Sequence, residues 1–269
     1  MKAYRVAYDG EPFHGFQRQP DVPTVEDAIL DALGDLDVLA GDADVPAGYA
    51  AAGRTDAGVS ALAQTVGFAA PEWLTPAALN SELPRTVRAW AAADAPADFH
   101  ATHDATERTY TYHLHAPDAD DDRVRAALAA LSGEHDFHNL TPDETGTVRD
   151  LTAEATRDGE FLVLRVSAGG FARQLVRRLV ALVAGVGRGE RDPAAIERVL
   201  APAPLPGPAG VAPAPAAPLV LTDVTYPDRS FERDAEAAAS ARTVFAEKRL
   251  DHRTRARVAG EVADGLPDA

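Results

Sequence analysis

The 269-residue sequence contains no cysteine. That excludes disulfides, thiol nucleophiles and cysteine-bound metals together. Lysine is almost as scarce: Lys2 and Lys248 stand alone, so 24 of the 26 basic residues are arginine. No apolar run approaches the length of a membrane-spanning helix, and the opening MKAYRVAYDG is not an export signal. The expected location is the cytoplasm, with no membrane partner. No dinucleotide fingerprint, P-loop or short-period repeat is found. Acid, by contrast, is abundant, giving a net charge of −16. A hydrophobic fraction of 46% marks a globular chain, long enough for one large domain or two smaller ones.

The chain is organised around residues 50–69, AAAGRTDAGVSALAQTVGFA. The pattern is strand, tight polar loop, strand, with Leu62, Val66 and Phe68 on one face of the second strand and Gln64 between them. Gly53 and Gly58 bracket the loop, which allows a sharp turn or close approach to a ligand. Between them lie Arg54 and Asp56, a cation and a carboxylate two residues apart. An aspartate in such a loop also arises simply as a cap of its own turn.

Around this stretch the elements alternate. Residues 2–9 form a strand with Tyr4, Val6 and Tyr8 on one face. A loop follows in which Phe13, Phe16, Gln17 and Arg18 suit either core plugging or base stacking with phosphate pairing. Thr24 caps a helix, with Asp27 at the capping-box position; residues 35–48 form an acidic loop. A second helix runs from Thr75–Pro76 to about Leu83, and a strand covers 86–93. This half reads as a ferredoxin-like β-α-β, β-α-β split. In the strand ending 98–115, Tyr110 and Tyr112 share a face. The second half repeats the plan: helix 120–131, loop 133–147, strands 148–157 and 160–167, and helix 171–189. That last helix buries Leu175, Leu179, Leu182, Val183 and Val186 and sets Arg173 and Arg177 one turn apart on the other side. A short helix opens at Asp192–Pro193. Residues 201–218 read as an Ala/Pro-rich linker without regular structure, and a strand covers 219–227. The expected divisions are an N-terminal α/β subdomain (1–105), a C-terminal one (106–230) and a charged helical tail (231–269).

Five motifs in order resemble the tRNA pseudouridine synthase A family. They are YDGEPFHGFQRQP near the start, GRTDAGVSALAQ in the centre, FHAT with RTYTY at 99–112, FARQLVRRLVA at 171–181, and LVLTDVTYP at 219–227. The chain departs from the family pattern at Ser60 (usually His), Thr102 (Arg), Leu175 (Met), Ala181 (Gly) and Pro218 (Gly). The resemblance implies an α+β fold in which two ferredoxin-like halves form a continuous antiparallel sheet, with helices on one face and an RNA-binding cleft. It implies conversion of uridine to pseudouridine at positions 38–40 of the tRNA anticodon stem-loop, by a homodimer and without a cofactor or metal. Asp56 maps onto the catalytic aspartate, as nucleophile or base. Tyr110 maps onto the active-site tyrosine, stacking on uracil and assisting proton removal from C5. Arg177 maps onto the cation partnering Asp56, and Leu219 onto the apolar wall. Arg54 is placed to hold a flipped-out nucleotide. Phe16, Gln17, Arg18 and Arg173 complete the expected RNA contacts.

A carboxylate in that role must be ionised though shielded from water, which burial opposes and a nearby cation favours. Acid excess and scarce lysine resemble proteins of salt-loving archaea. For an RNA-binding chain, a net charge of −16 requires segregation, with acids outside and arginines in the cleft; at molar salt the Debye length is about 3 Å, so distant acids hardly repel RNA. Two other readings are open. One is a tRNA-binding protein without catalysis. The other is a metal-dependent hydrolase built on His100, His103, Asp104, His113, His115, His135 and His138.

Overall fold

The computed structural model describes residues 1–39, 41, 43–205 and 211–267. One ten-stranded sheet runs through both halves of the chain. In the N-terminal half, β1 (Lys2–Tyr8) lies between β3 (Ser60–Phe68) and β4 (Val87–Asp94), antiparallel to both. The two-residue β2 (Ala50–Ala51) pairs with β3, and β10 (Glu232–Arg233) with the outer side of β4. The other half continues from β9 (Leu219–Thr225) through β5 (Glu107–His115), β8 (Phe161–Ala168) and β7 (Val148–Asp158) to β6 (Gly133–Asp136). The described strand pairs are antiparallel except at the junction. There β3 and β9 run parallel over Ser60–Val220 and Ala61–Leu221.

Two apolar clusters fill the halves. In the first, α1 (Val25–Asp35) buries Val25, Ile29 and Leu33 against Tyr4, Val6 and Tyr8 of β1. Thr24 caps α1 as its sequence implies: its hydroxyl oxygen accepts from the Asp27 N–H at 3.2 Å. In the second, α3 (Asp121–Leu131) and α4 (Leu175–Gly187) pack with β7 and β5. Strand β9 feeds both: Leu219 belongs to the second cluster, and Leu221 and Val224 to the first, joined by Tyr226 just after the strand. The centre of the sheet is thus tied into both cores.

Several local expectations are corrected. Leu62 is 50% exposed, because a bulge shifts the pairing from Val6–Gln64 to Tyr8–Ala61 and turns Leu62 away from the face of Gln64, Val66 and Phe68. The second helix, α2 (Pro76–Leu79), stops early. The Asn80 side chain donates to Ala89 O and accepts from Ala89 N, each at 2.8 Å, so the chain leaves the helix to cover the β4 backbone. Within 133–147, read as loop, Gly133–Asp136 pairs with β7 as β6 and His138–Leu140 makes one tight helical turn. GEHD carries no apolar alternation, so only its partner strand reveals it. Helix α4 starts at Leu175, after Gln174 in the left-handed region at φ 60°. Residues 206–210 of the expected linker lie outside the described residues. Its remainder is packed, with Val211 and Ala214 buried beside α4. A short helix α5 (Ala194–Leu200) precedes it.

The tail forms α6 (Ala235–Asp264), capped by Asp234. It buries Ala237 and Ala241 and lies along β4. Farther on, Arg85 pairs with Glu247, and Lys248 with Asp9 and Glu11. Among the described residues no helix is long and apolar enough to cross a membrane.

Candidate active site

The loop 52–59 sits at the sheet's central junction, where β2 ends and β3 begins beside β9. Its shape is imposed by the loop after β1. Phe16 N–H donates to Thr55 O at 3.1 Å and Gly58 N–H to Phe13 O at 3.3 Å. The Tyr8 and Thr55 hydroxyls are 2.8 Å apart and hydrogen-bonded. The two loops are in backbone contact: a Cβ on Gly10 would lie 2.2 Å from Val59 O, and one on Gly15 (φ 100°) 2.9 Å from Thr55 O. Those two glycines are required by the close approach. From below, Gln64 Nε2 donates to Gly53 O at 2.8 Å.

Into this loop reaches Arg177 from α4, 121 residues away in sequence. Its Nη1 donates to Asp56 Oδ2 at 3.1 Å and its Nε to Ala214 O at 2.7 Å. Ala214 N–H in turn donates to Arg177 O at 3.0 Å. The 211–216 segment, expected to be a mere linker, therefore orients the guanidinium. Asp56 keeps 30% of its side chain exposed and Arg177 16%. The carboxylate is paired, yet open to a ligand.

Tyr110 of β5 faces the same space and meets Phe171 edge-on at 5.3 Å. Burial, and secondarily the Asp56 carboxylate, push its phenol well above the ordinary tyrosine range. It therefore stays protonated at neutral pH. Leu219, 4% exposed, forms part of the wall. Arg54 is exposed in the cleft and has no hydrogen-bond or ion-pair partner among the described residues.

The cleft has a volume of about 1530 Å³. Small-molecule pockets are usually about 300–1,000 Å³, so this one is sized for a segment of a larger ligand. Gln17 and Arg173 line it as expected, although Arg173 is also paired with Asp143 at 3.3 Å. Of the other expected contacts, Phe16 is buried and Arg18 lies outside the cleft lining. The Phe16 side chain is 1% exposed and packed near Tyr8 at 6.2 Å, so it braces the loop and cannot stack on a base. Arg18 donates to Asp27 Oδ1 at 2.6 Å and turns toward α1, outside the cleft lining.

Arg108 opens the RTYTY motif. It is buried beside the cleft and, among the described residues, has no carboxylate partner. Its N–H groups reach four backbone carbonyls: Ala52 (2.7 Å and 3.2 Å), Thr102 (2.6 Å), Ala105 (3.1 Å) and Gly169 (2.5 Å). These belong to three separate segments around the cleft. Burial pulls its basicity below the ordinary arginine range.

The expected segregation of charge is only weakly met here. Arg54, Arg108, Arg173 and Arg177 line the cleft against Glu26, Asp56 and Asp143. The histidines of the rival metal-hydrolase reading are spread apart: His100 and His103 stack at 4.1 Å, whereas His115 faces Phe161 and Glu160, and His135 faces Phe137. Among the described residues no three His, Asp or Glu side chains are grouped to hold a metal ion.

An arginine-paired carboxylate, a protonated tyrosine and a second, exposed arginine thus face one mid-sheet cleft. Comparison with known proteins gives the family. Residues 127–227 match the family model described as tRNA pseudouridine synthase. The chain is 60% identical to the tRNA pseudouridine synthase A of Haloarcula marismortui over 99% of this chain and 100% of that one. It is 59% identical to that of Natronomonas pharaonis over 98% and 99%. To the Methanothrix thermoacetophila protein it is 40% identical over 86% and 85%. The chain belongs to the tRNA pseudouridine synthase A family, a family of isomerases, and its acid-rich, lysine-poor composition is that of a halophilic archaeal member.

Proposed function

We propose that the protein isomerises uridine to pseudouridine in the anticodon stem-loop of tRNA, at positions 38–40, with Asp56 as the nucleophile or base. The observation that carries this reading is the Asp56–Arg177 pair at 3.1 Å, a carboxylate held open to the cleft by an arginine from the other half of the chain.

In the reaction the N1–C1′ bond breaks, the uracil turns, and C5 bonds to C1′ while the C5 proton is lost and N1 regains one. Atoms and charge balance without an oxidant or leaving group. The target uridine leaves its stack before reacting. Arg54, free beside Asp56, is placed to hold the phosphate of the flipped nucleotide. Tyr110 supplies a ring for the uracil to rest on. Its buried phenol is placed to assist C5 proton removal through a hydrogen bond. Leu219 closes the apolar side of the pocket. Gln17 and Arg173 meet the flanking RNA. The reading includes a cytoplasmic homodimer with one tRNA spanning both subunits, and a division of each subunit near residues 105 and 230.

The test is to incubate the full chain with unmodified tRNA transcript in high salt and chelator, then map pseudouridine by carbodiimide-dependent primer-extension stops. A stop at 38–40 that Asp56→Ala removes is the expected result. Stops elsewhere would move the substrate site. No stop with tRNA still bound would leave a binding protein without catalysis.

A further inference from the structure

The densest positive charge on this acidic chain is outside the cleft. Residues 242–257 hold six of its 26 Lys and Arg residues against two acids. They lie on α6, whose first half is anchored through Ala237, Ala241 and the Lys248–Asp9 pair. Beyond Lys248 the helix continues for 16 residues to Asp264, about 24 Å at 1.5 Å per residue. Every residue from Arg249 to Leu266 except Gly260 is exposed. Half of the helix is therefore an arm that leaves the body.

The charges along this helix are not uniform. At about 100° per residue, Arg242, Arg249, Arg253 and Arg257 fall within an arc of about 80°. That arc lies well round the helix from the side of Ala237, Ala241 and Lys248 that meets the body. None of the four has a hydrogen-bond or ion-pair partner among the described residues, whereas Arg255, on another face, pairs with Asp251 at 2.9 Å. Successive members from Arg249 to Arg257 are about 6 Å apart along the axis. A row of guanidiniums without partners among the described residues makes no contact that holds the fold. It is complementary to a polyanion. The arm also starts at the right place: Lys248 holds it to Asp9 and Glu11, the opening of the loop whose later residues, Gly15 to Gln17, form a cleft wall.

We infer that α6 is a second RNA-binding element, and that Arg242, Arg249, Arg253 and Arg257 grip the phosphate backbone of the tRNA outside the cleft. The inference rests on tRNA being the substrate. Direct guanidinium–phosphate contacts are shorter than, or comparable with, the roughly 3 Å screening length at molar salt, so the row works where long-range attraction does not. The cleft then provides the chemistry and the arm much of the hold.

The test is a full-length variant with all four arginines changed to glutamine, its helix content checked by circular dichroism. Its affinity for tRNA transcript is measured across a salt series, along with single-turnover pseudouridine formation at saturating tRNA. The expected result is a dissociation constant raised by about tenfold or more, and a slope of log affinity against log salt shallower by about three. The saturating rate should be unchanged. Unaltered affinity and slope in a folded variant would overturn the inference. So would a change in self-association by light scattering with tRNA affinity intact, which would make the arm a contact for a second copy. If the wild type binds tRNA but forms no pseudouridine while the variant still loses affinity, the catalytic reading fails and the arm stands.

Discussion

The arginines of the cleft and those of the tail helix do opposite things. Arg108 and Arg177 are held in place by carbonyls of their own chain and, for Arg177, by Asp56. Arg242, Arg249, Arg253 and Arg257 have no hydrogen-bond or ion-pair partner among the described residues. The difference shows that a basic residue near an active site is not automatically a ligand contact. A buried guanidinium can serve as a multi-armed staple for loops, because its planar fork satisfies several carbonyls at once. Among the described residues, only Arg54 combines a place in the cleft with a guanidinium that has no hydrogen-bond or ion-pair partner.

Breaking the staple gives the largest expected effect. Arg108→Met leaves four buried or half-buried carbonyls without a donor, and lost hydrogen bonds of this kind cost about 1–3 kcal/mol each. Because losses within one network are not additive, the expected destabilisation is about 3–5 kcal/mol in denaturant unfolding. Arg108→Lys should recover little of it, since an ammonium cannot span three segments. A loss below about 1 kcal/mol would show that the carbonyls find other partners and that the contrast with the tail is overdrawn.

Next comes Arg177→Ala, which frees Asp56 and removes the contact to Ala214. Single-turnover rate should fall by about 10²–10³-fold, with tRNA affinity changed far less. If affinity falls as much as rate, Arg177 belongs with the RNA-gripping arginines instead. Tyr110→Phe keeps the ring but removes the protonated hydroxyl; the expected loss is about tenfold in rate, without a new ionisation in the pH–rate profile near neutrality. The smallest effect is expected at Lys248→Ala. Its pairs with Asp9 and Glu11 are partly exposed, and such bridges contribute about 0–1 kcal/mol. Limited proteolysis should show α6 loosened while the body's melting hardly moves.

Much of the fold is readable from local pattern. The apolar alternation of β1, the capped helix at Thr24 and the buried stripe of α4 are each encoded within a dozen residues. What escapes is set by distant partners. GEHD becomes a strand only because β7 lies beside it, and Leu62 is turned outward by a bulge against β1. The candidate site divides the same way. Asp56 and Arg54 are marked by their glycine-bracketed loop. The Asp56–Arg177 pair spans 121 residues and is visible beforehand only through family resemblance. The role of Arg108 is not encoded in any neighbour's identity, because its partners are backbone carbonyls that every residue possesses. Phe16 and Arg18 mislead for a related reason: their types suit RNA, but packing against Tyr8 and pairing with Asp27 use them first.

The most direct test of the account concerns Asp56 itself. Asp56→Asn preserves size and a hydrogen-bonding side chain but removes the negative charge, the nucleophile and the base. Pre-bound tRNA transcript would be followed for pseudouridine formation in a single turnover, beside a binding measurement. The account predicts tRNA bound with nearly wild-type affinity and no product above background over many wild-type half-lives. Product formed at a rate within about tenfold of wild type, less than the roughly 10²–10⁴-fold contribution of a positioned acid–base group, would contradict it and move the chemistry away from the Asp56–Arg177 pair.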